Sequence, residues 1–209
     1  MVIVEQEPPY AADLFGDRID VARAFTADLA QYGEELGLIG PLEAERLWSR
    51  HVVNCALVAP LVHPGRVGDV GSGAGLPGLV LAIARPDAHF VLIEPMERRT
   101  DWLAAESDRL GLTNVTVSRG RAEDIRPDPL LDQVTARAVS ALSKLIPLCV
   151  PLLKPGGELL FMKGARVEEE LLAAEKALRK ARIHNSEVLI LGEGIVPEVT
   201  RVFRARVGH

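Results

Sequence analysis

Aromatic side chains are scarce in this chain, nine of 209 residues, so few flat surfaces are available for stacking on a ligand. Cysteine is rarer still. Cys55 and Cys149 stand alone in apolar segments without metal-ligand spacing, which excludes a disulfide framework or a zinc site and leaves two small buried thiols. No apolar run approaches the 18 or more residues of a membrane span; Ala56 to Val62 and Leu145 to Leu153 are the longest, and both contain proline. The first residues, Met1 to Glu7, lack a basic stretch and turn acidic where a secretion signal turns apolar, so the chain is expected in the cytoplasm. Net positive charge is also missing: 24 basic against 29 acidic side chains leave a formal charge of -5. Taken alone, that disfavours a polyanionic partner.

The charge is unevenly spread. Residues 1–62 carry 4 basic and 10 acidic side chains, residues 63–162 carry 11 and 12, and residues 163–209 carry 9 and 7. The acidity therefore belongs to the N-terminal segment. Arg98 with Arg99, Arg119 with Arg121, the Arg179 to Arg182 cluster, and Arg201, Arg204 and Arg206 leave room for a local basic face.

With 48% hydrophobic and 25% charged residues, the composition is that of a globular protein, and the length suits one domain with an appendage. Residues 1–62 read as a helical cap. Phe25, Leu29, Tyr32 and Leu36 recur at helical spacing, and a second apolar helix is expected from about Leu42 to Leu61. Residues 63–209 alternate short β-rich runs with helices. Seven strands are expected, at 67–71, 89–94, 115–118, 133–136, 158–162, 187–191 and 200–207, with helices at 76–84, 98–110, 140–153 and 167–181. Helices of crossover length lead one to expect the first five strands to be mostly parallel. Only eight residues separate Leu191 from Thr200, too few for such a crossover, so the last strand is expected to be antiparallel. The expected fold is thus α/β, a doubly wound, mostly parallel seven-stranded sheet with an N-terminal helical cap.

The most informative stretch is Asp69-Val70-Gly71-Ser72-Gly73-Ala74-Gly75-Leu76-Pro77-Gly78, directly after the first strand. Alternating glycines let the backbone turn sharply and let a ligand approach the main chain. Glu94, 23 residues after Gly71, falls at the tip of the second strand, where a carboxylate can accept two hydrogen bonds from a ribose diol. The pair points to an adenosine-containing ligand. Gly73 to Gly78 also matches the dinucleotide pattern G-x-G-x-x-G, so an NAD(P) oxidoreductase competes, as does a non-enzymatic adenosine-binding regulator. Against the oxidoreductase, no second catalytic constellation is apparent.

Asp69 two residues before three alternating glycines, together with a terminal antiparallel strand, resembles the Rossmann-like class I S-adenosylmethionine methyltransferases. Ala122-Glu123 after the third strand and Arg137 after the fourth stand where such enzymes contact donor and acceptor. The resemblance narrows with Leu76-Pro77-Gly78, Arg85-Pro86-Asp87-Ala88-His89-Phe90, Leu92-Ile93-Glu94, Arg50-His51, Ala136-Arg137-Ala138 and Lys163-Gly164. Over about residues 50–164 the chain resembles the RsmG (GidB) family, bacterial guanine-N7 methyltransferases of 16S ribosomal RNA that act on its 530 loop. It departs from the family at Gly37-Leu38-Ile39-Gly40 and at Asn54-Cys55, where the family often has Asn-Leu-Thr and Asp-Ser.

The resemblance implies S-adenosyl-L-methionine as donor and S-adenosyl-L-homocysteine as product, with 16S rRNA or the small ribosomal subunit as partner. It also implies a monomer and no metal. The donor contacts it implies are Gly71, Leu76, Ala122, Glu123 and Arg137, beside Gly73, Gly75 and Glu94, which the residues themselves already indicate. Arg137 would stand where donor meets acceptor, and Lys163, Arg50 and Arg166 would face RNA. His51, on an apolar helix, is expected to be structural. No residue is expected to act as a general base, because N7 of guanine carries no proton. Tyr10, Phe15, Trp48 and Trp102 are the stacking candidates, with both tryptophans also suited to the core.

Overall fold

A computed structural model describes residues 4–208; Met1 to Ile3, part of the stretch read for a secretion signal, and His209 lie outside them. Seven strands form one sheet: β1 (Arg66–Val70), β2 (His89–Glu94), β3 (Val115–Arg119), β4 (Leu131–Arg137), β5 (Leu153–Lys163), β6 (Ser186–Leu191) and β7 (Thr200–Arg206). Their order is β3-β2-β1-β4-β5-β7-β6. β1 to β5 pair in parallel, and β7 inserts antiparallel between β5 and β6, as the short connection requires. Every residue of β2 after His89 is buried, as expected for a central strand covered on both faces. β3, at the edge, has no fully buried residue.

Helices cover the sheet on both sides. On one face lie α1 (Ala11–Phe15), α2 (Ile19–Tyr32), the short α3 (Asn54–Ala56), α4 (Gly78–Ala84) and α5 (Glu97–Arg109). Phe25, Leu29 and Trp48 from the N-terminal segment share a single apolar cluster there with Leu79, Leu81, Phe90 and Leu92. On the other face, α6 (Leu142–Cys149), α7 (Val167–Ala173) and α8 (Glu175–Lys180) pack on Ile93, Val134, Phe161 and Phe203. Phe161 and Phe203 are cross-strand partners whose rings stack with centroids 6.0 Å apart. Leu92 faces one cluster while Val91 and Ile93 face the other, the alternation a strand imposes.

Three expected helices differ in the structure. The continuous helix from Leu42 to Leu61 is instead a series of turns: a 3-10 turn at Glu43–Arg46, a π-helical segment at Leu47–Val53, α3, and a 3-10 turn at Ala59–Leu61. Pro60 cannot continue an α-helix, since it lacks an N–H and its ring would meet the carbonyl four residues back. Within the π turn the Arg50 carbonyl accepts from Arg137. The helix expected at 167–181 breaks at Ala174, whose amide bonds to Leu171 three residues back. That expected at 140–153 ends as an α-helix at Cys149 and finishes as a 3-10 turn at Val150–Leu152, again with a proline, Pro151, inside the turn. Among the described residues no helix is long and apolar enough to cross a membrane. Cys55 and Cys149 are both free and buried.

Candidate active site

The parallel strands end together, which brings Val70, Glu94, Arg137 and Lys163 to one edge of the sheet. That is where a doubly wound sheet opens its crevice. Between β1 and α4 the glycine turn is fixed from below by Asp69, a fully buried residue whose Oδ2 accepts from the Gly78 amide at 3.0 Å. Burial pushes the Asp69 carboxyl up to about 7, against the Gly78 amide, which favours the charged form. A Cβ on Gly78 would lie 2.4 Å from Leu92 and 2.5 Å from Asp69, so this glycine serves the close approach of α4 to the sheet. Gly75, at φ +93°, likewise presses on Leu79, whereas a Cβ on Gly73, at φ +55°, would meet only the Gly71 carbonyl at an ordinary 3.8 Å. Gly75 and Gly78 therefore serve packing, and Gly73 serves access.

Glu94 is almost wholly buried, yet both carboxylate oxygens are engaged. Oε2 accepts from the Gly73 amide and Oε1 from the Met96 amide, each at 3.0 Å. The carboxylate is thereby held in place, with further lone pairs for a diol. It borders a cavity of about 310 Å³ that is also lined by Gly71, Met96, Arg99, Ala122, Glu123 and Val139. A Cβ on Gly71 would meet Val139 at 2.8 Å, so that position is a closed wall of this cavity. A buried acid at the strand tip, a glycine wall and Ala122-Glu123 opposite suit an adenosine group. Trp102, from α5, donates Nε1–H to the Ala74 carbonyl at 3.1 Å and so braces the glycine turn from within the core.

A second cavity, about 430 Å³, continues over the turn and is lined by Ser72, Gly73, Leu76, Glu43, His51, Arg99 and Arg137. A third, about 680 Å³, opens on the far side of Arg137 and is lined by Arg50, Asn54, Lys163, Glu170, Glu198 and Thr200, among others. Arg137 and Arg50 border both. The Arg137 guanidinium is fixed by three acceptors from the N-terminal segment: the Arg50 carbonyl at 3.1 Å, His51 Nδ1 at 2.9 Å and Cys55 Sγ at 3.3 Å. On its other side the His51 ring meets Glu43, Nε2 to Oε2 at 2.5 Å. Burial, and next the charge of Arg137, pull the His51 pKa below its usual value despite Glu43.

The residues expected to face RNA divide. Arg50 is partly exposed and pairs loosely with Glu198 at 3.6 Å and Glu43 at 3.9 Å. Arg166 is exposed just before α7, outside the residues lining the third cavity. Lys163 is only 9% exposed; its Nζ is 2.7 Å from Glu170 and donates to the Ser140 carbonyl at 2.9 Å. Of the stacking candidates, Phe15, Trp48 and Trp102 are buried in the core, and Tyr10 is partly buried against it. Sequence reasoning passed over two residues. Arg99 borders both smaller cavities with a buried, unpartnered Nε, and was visible only as half of a basic pair. Glu43 stands eight residues before His51, a spacing close to two helical turns that could have linked them.

Known proteins share the fold, and sequence relatives show the family. A SAM dependent methyltransferase from Aquifex aeolicus superposes with TM-score 0.54 at 20% identity over 96% of this chain and 94% of its own. A methyltransferase from Pyrococcus furiosus does so with TM-score 0.61 at 13% identity over 76% and 83%. Sequence relatives are much closer. The ribosomal RNA small subunit methyltransferase G of Clavibacter michiganensis subsp. michiganensis is 66% identical over 206 residues, 99% of this chain and 98% of the relative. That of Leifsonia xyli is 63% identical over 98% of each chain, and that of Streptomyces coelicolor 47% identical over 97% of this chain and 85% of the relative. The GidB family model, described as rRNA small subunit methyltransferase G, matches residues 18–198. With that match and these identities, the chain belongs to the GidB family of rRNA small subunit methyltransferases G.

Proposed function

We propose that this protein transfers a methyl group from S-adenosyl-L-methionine to N7 of a guanine in the 530 loop of 16S rRNA, acting as a cytoplasmic monomer. Residues 1–62 form a cap on the methyltransferase domain, residues 63–209. Glu94 would hold the ribose diol, Ala122 and Glu123 the adenine end, and Gly71, Gly73 and Leu76 the methionine end. Arg137 stands at the junction with the acceptor. Bound there, S-adenosylmethionine supplies a methyl group already activated on a sulfonium.

What the chain must add is alignment and shelter from water. A guanine N7 offers an in-plane lone pair and no proton, so its methylation calls for no base. The observation that carries this reading is that, among the described residues, the carboxylates and the imidazole bordering the two cavities at Arg137 are engaged, Glu43 with Arg46 and His51. Glu170 is paired with Lys163 and also accepts the Leu142 amide, Glu198 is paired with Arg50, and His51 turns its Nδ1 lone pair to Arg137. Gly71 and Val139 close the wall behind the donor, and Arg137 reaches both cavities.

Incubation with labelled S-adenosylmethionine and either deproteinised 16S rRNA or small subunits, followed by mapping of the modified base, tests the reading. One methylated guanine in the 530 loop is expected. Label on another base, or on no RNA at all, contradicts it.

A further inference from the structure

The contacts around His51 fix where its proton lies, and this gives Glu43 a task. An arginine side chain has donors and no acceptor and stays protonated. The Arg137 Nη2 that lies 2.9 Å from His51 Nδ1 must therefore donate to it, and Nδ1 must present a lone pair. The single imidazole proton is left on Nε2, which faces Glu43 Oε2 at 2.5 Å. A doubly protonated ring would turn an N–H toward the guanidinium. Glu43 is itself held, since its other oxygen accepts from Arg46 Nη2 at 2.5 Å. The chain of contacts runs Arg46, Glu43, His51, Arg137, from the 3-10 turn through the π-helical segment to the end of β4.

From this geometry we infer that Glu43 and His51 are positioning residues for Arg137: Glu43 selects the Nε2–H tautomer of a neutral His51, and that tautomer holds the guanidinium where donor and acceptor meet. This rests on the methyltransferase reading of the site. Without the Glu43 carboxylate, Nε2–H keeps only the pull of Arg137 on Nδ1, and whenever the ring adopts Nδ1–H it withdraws the acceptor that Arg137 uses. The guanidinium would keep the Arg50 carbonyl and Cys55 Sγ and lose its contact with His51, which lines the cavity over the glycine turn with it. Burial and the neighbouring positive charge of Arg137 favour the neutral ring that the arrangement needs. Arg50, on the same π-helical segment, adds a further positive charge in the same sense.

A double-mutant cycle on donor affinity tests this, because binding of S-adenosylmethionine can be titrated by calorimetry without knowing which RNA atom is methylated. Glu43→Ala should weaken donor binding about fivefold or more in the wild-type background, and by less than about twofold when Arg137 is already alanine. Glu43→Gln, whose amide oxygen can still accept Nε2–H, should stay within about twofold of wild type. Long-range 15N spectra of His51 should show the Nε2–H tautomer in the wild type and a mixture in Glu43→Ala, with melting temperatures reporting whether each variant is folded.

Losses that multiply across the two backgrounds would overturn the proposal, as would an unchanged Nε2–H tautomer in Glu43→Ala. A wild-type protein that does not bind S-adenosylmethionine would instead overturn the reading of the site, whichever tautomer His51 shows.

Discussion

Glu94, at the end of β2, accepts the backbone amide of Gly73, in the turn after β1, at 3.0 Å. This bond ties the two halves of the donor cleft together before anything binds. The same carboxylate takes the Met96 amide, so it shapes the loop on each side as well as offering lone pairs to a ligand.

Replacing Glu94 should therefore cost on two counts. Glu94→Ala leaves two amides without their acceptor and should lower stability by about 1 to 3 kcal/mol, while donor affinity falls by about 1.5 to 3 kcal/mol. Glu94→Gln, which keeps one acceptor oxygen, should lie between. Calorimetric titration and thermal melting read both effects, and an unchanged donor affinity would remove Glu94 from the site.

The glycines of the turn should separate by task. Gly78→Ala drives a methyl group into Leu92 and Asp69 and should destabilise the fold by roughly 1 to 3 kcal/mol. Gly73→Ala makes only an ordinary contact with the Gly71 carbonyl and should cost about 1 to 2 kcal/mol for its left-handed backbone, with the larger loss in donor binding. Melting curves beside donor titrations distinguish the two patterns.

Asp69 should leave a mark on stability against pH. Its carboxyl, at about 7 in the folded protein, binds a proton more tightly there than in the unfolded chain, near 3.8. The folded state therefore holds more protons between these values, and this group's contribution to stability is full below about pH 4 and is lost as pH rises through 7. Asp69→Asn removes the titration, so the difference in melting temperature between variant and wild type should shift in the variant's favour as pH rises from 5 to 8. A difference independent of pH would contradict the buried, protonatable acid.

Lys163 should reveal the carboxylate that restrains it. With Glu170 beside it, Lys163→Ala should change the salt dependence of RNA binding by less than one phosphate contact, while Arg50→Ala should lower the slope by about one. Glu170→Gln, which frees the lysine, should raise RNA affinity severalfold at low salt. Filter binding across a salt series reads all three, and a full one-contact loss in Lys163→Ala would show that the lysine leaves Glu170 for phosphate.

The parts of the site that sequence made legible are local. Gly71 to Gly78 and Glu94 carry their meaning in spacing along a strand, a turn and a helix, and the seven strands follow from β-rich runs broken by turn residues. What stayed hidden depends on contacts between distant segments. Arg137 finds His51 and Cys55 across more than 80 residues, and no pattern near Arg137 announces a histidine partner. The π-helical segment was hidden for another reason, because apolar residues at helical spacing do not distinguish a wide turn from an ordinary one. Lys163 read as a rim cation through the family resemblance at Lys163-Gly164, while the fold sets it against Glu170.

Base-free methyl transfer to guanine N7 can be checked by single-turnover methylation at saturating donor and RNA, with the modified nucleoside identified and the rate followed from pH 6 to 8. The expected result is 7-methylguanosine and a flat profile, because nothing is deprotonated and burial with the Arg137 charge holds the His51 pKa below its usual value. A rate that falls with decreasing pH through the imidazole range near 6.5, with a limb that His51→Gln abolishes at a cost of about a hundredfold, would contradict it.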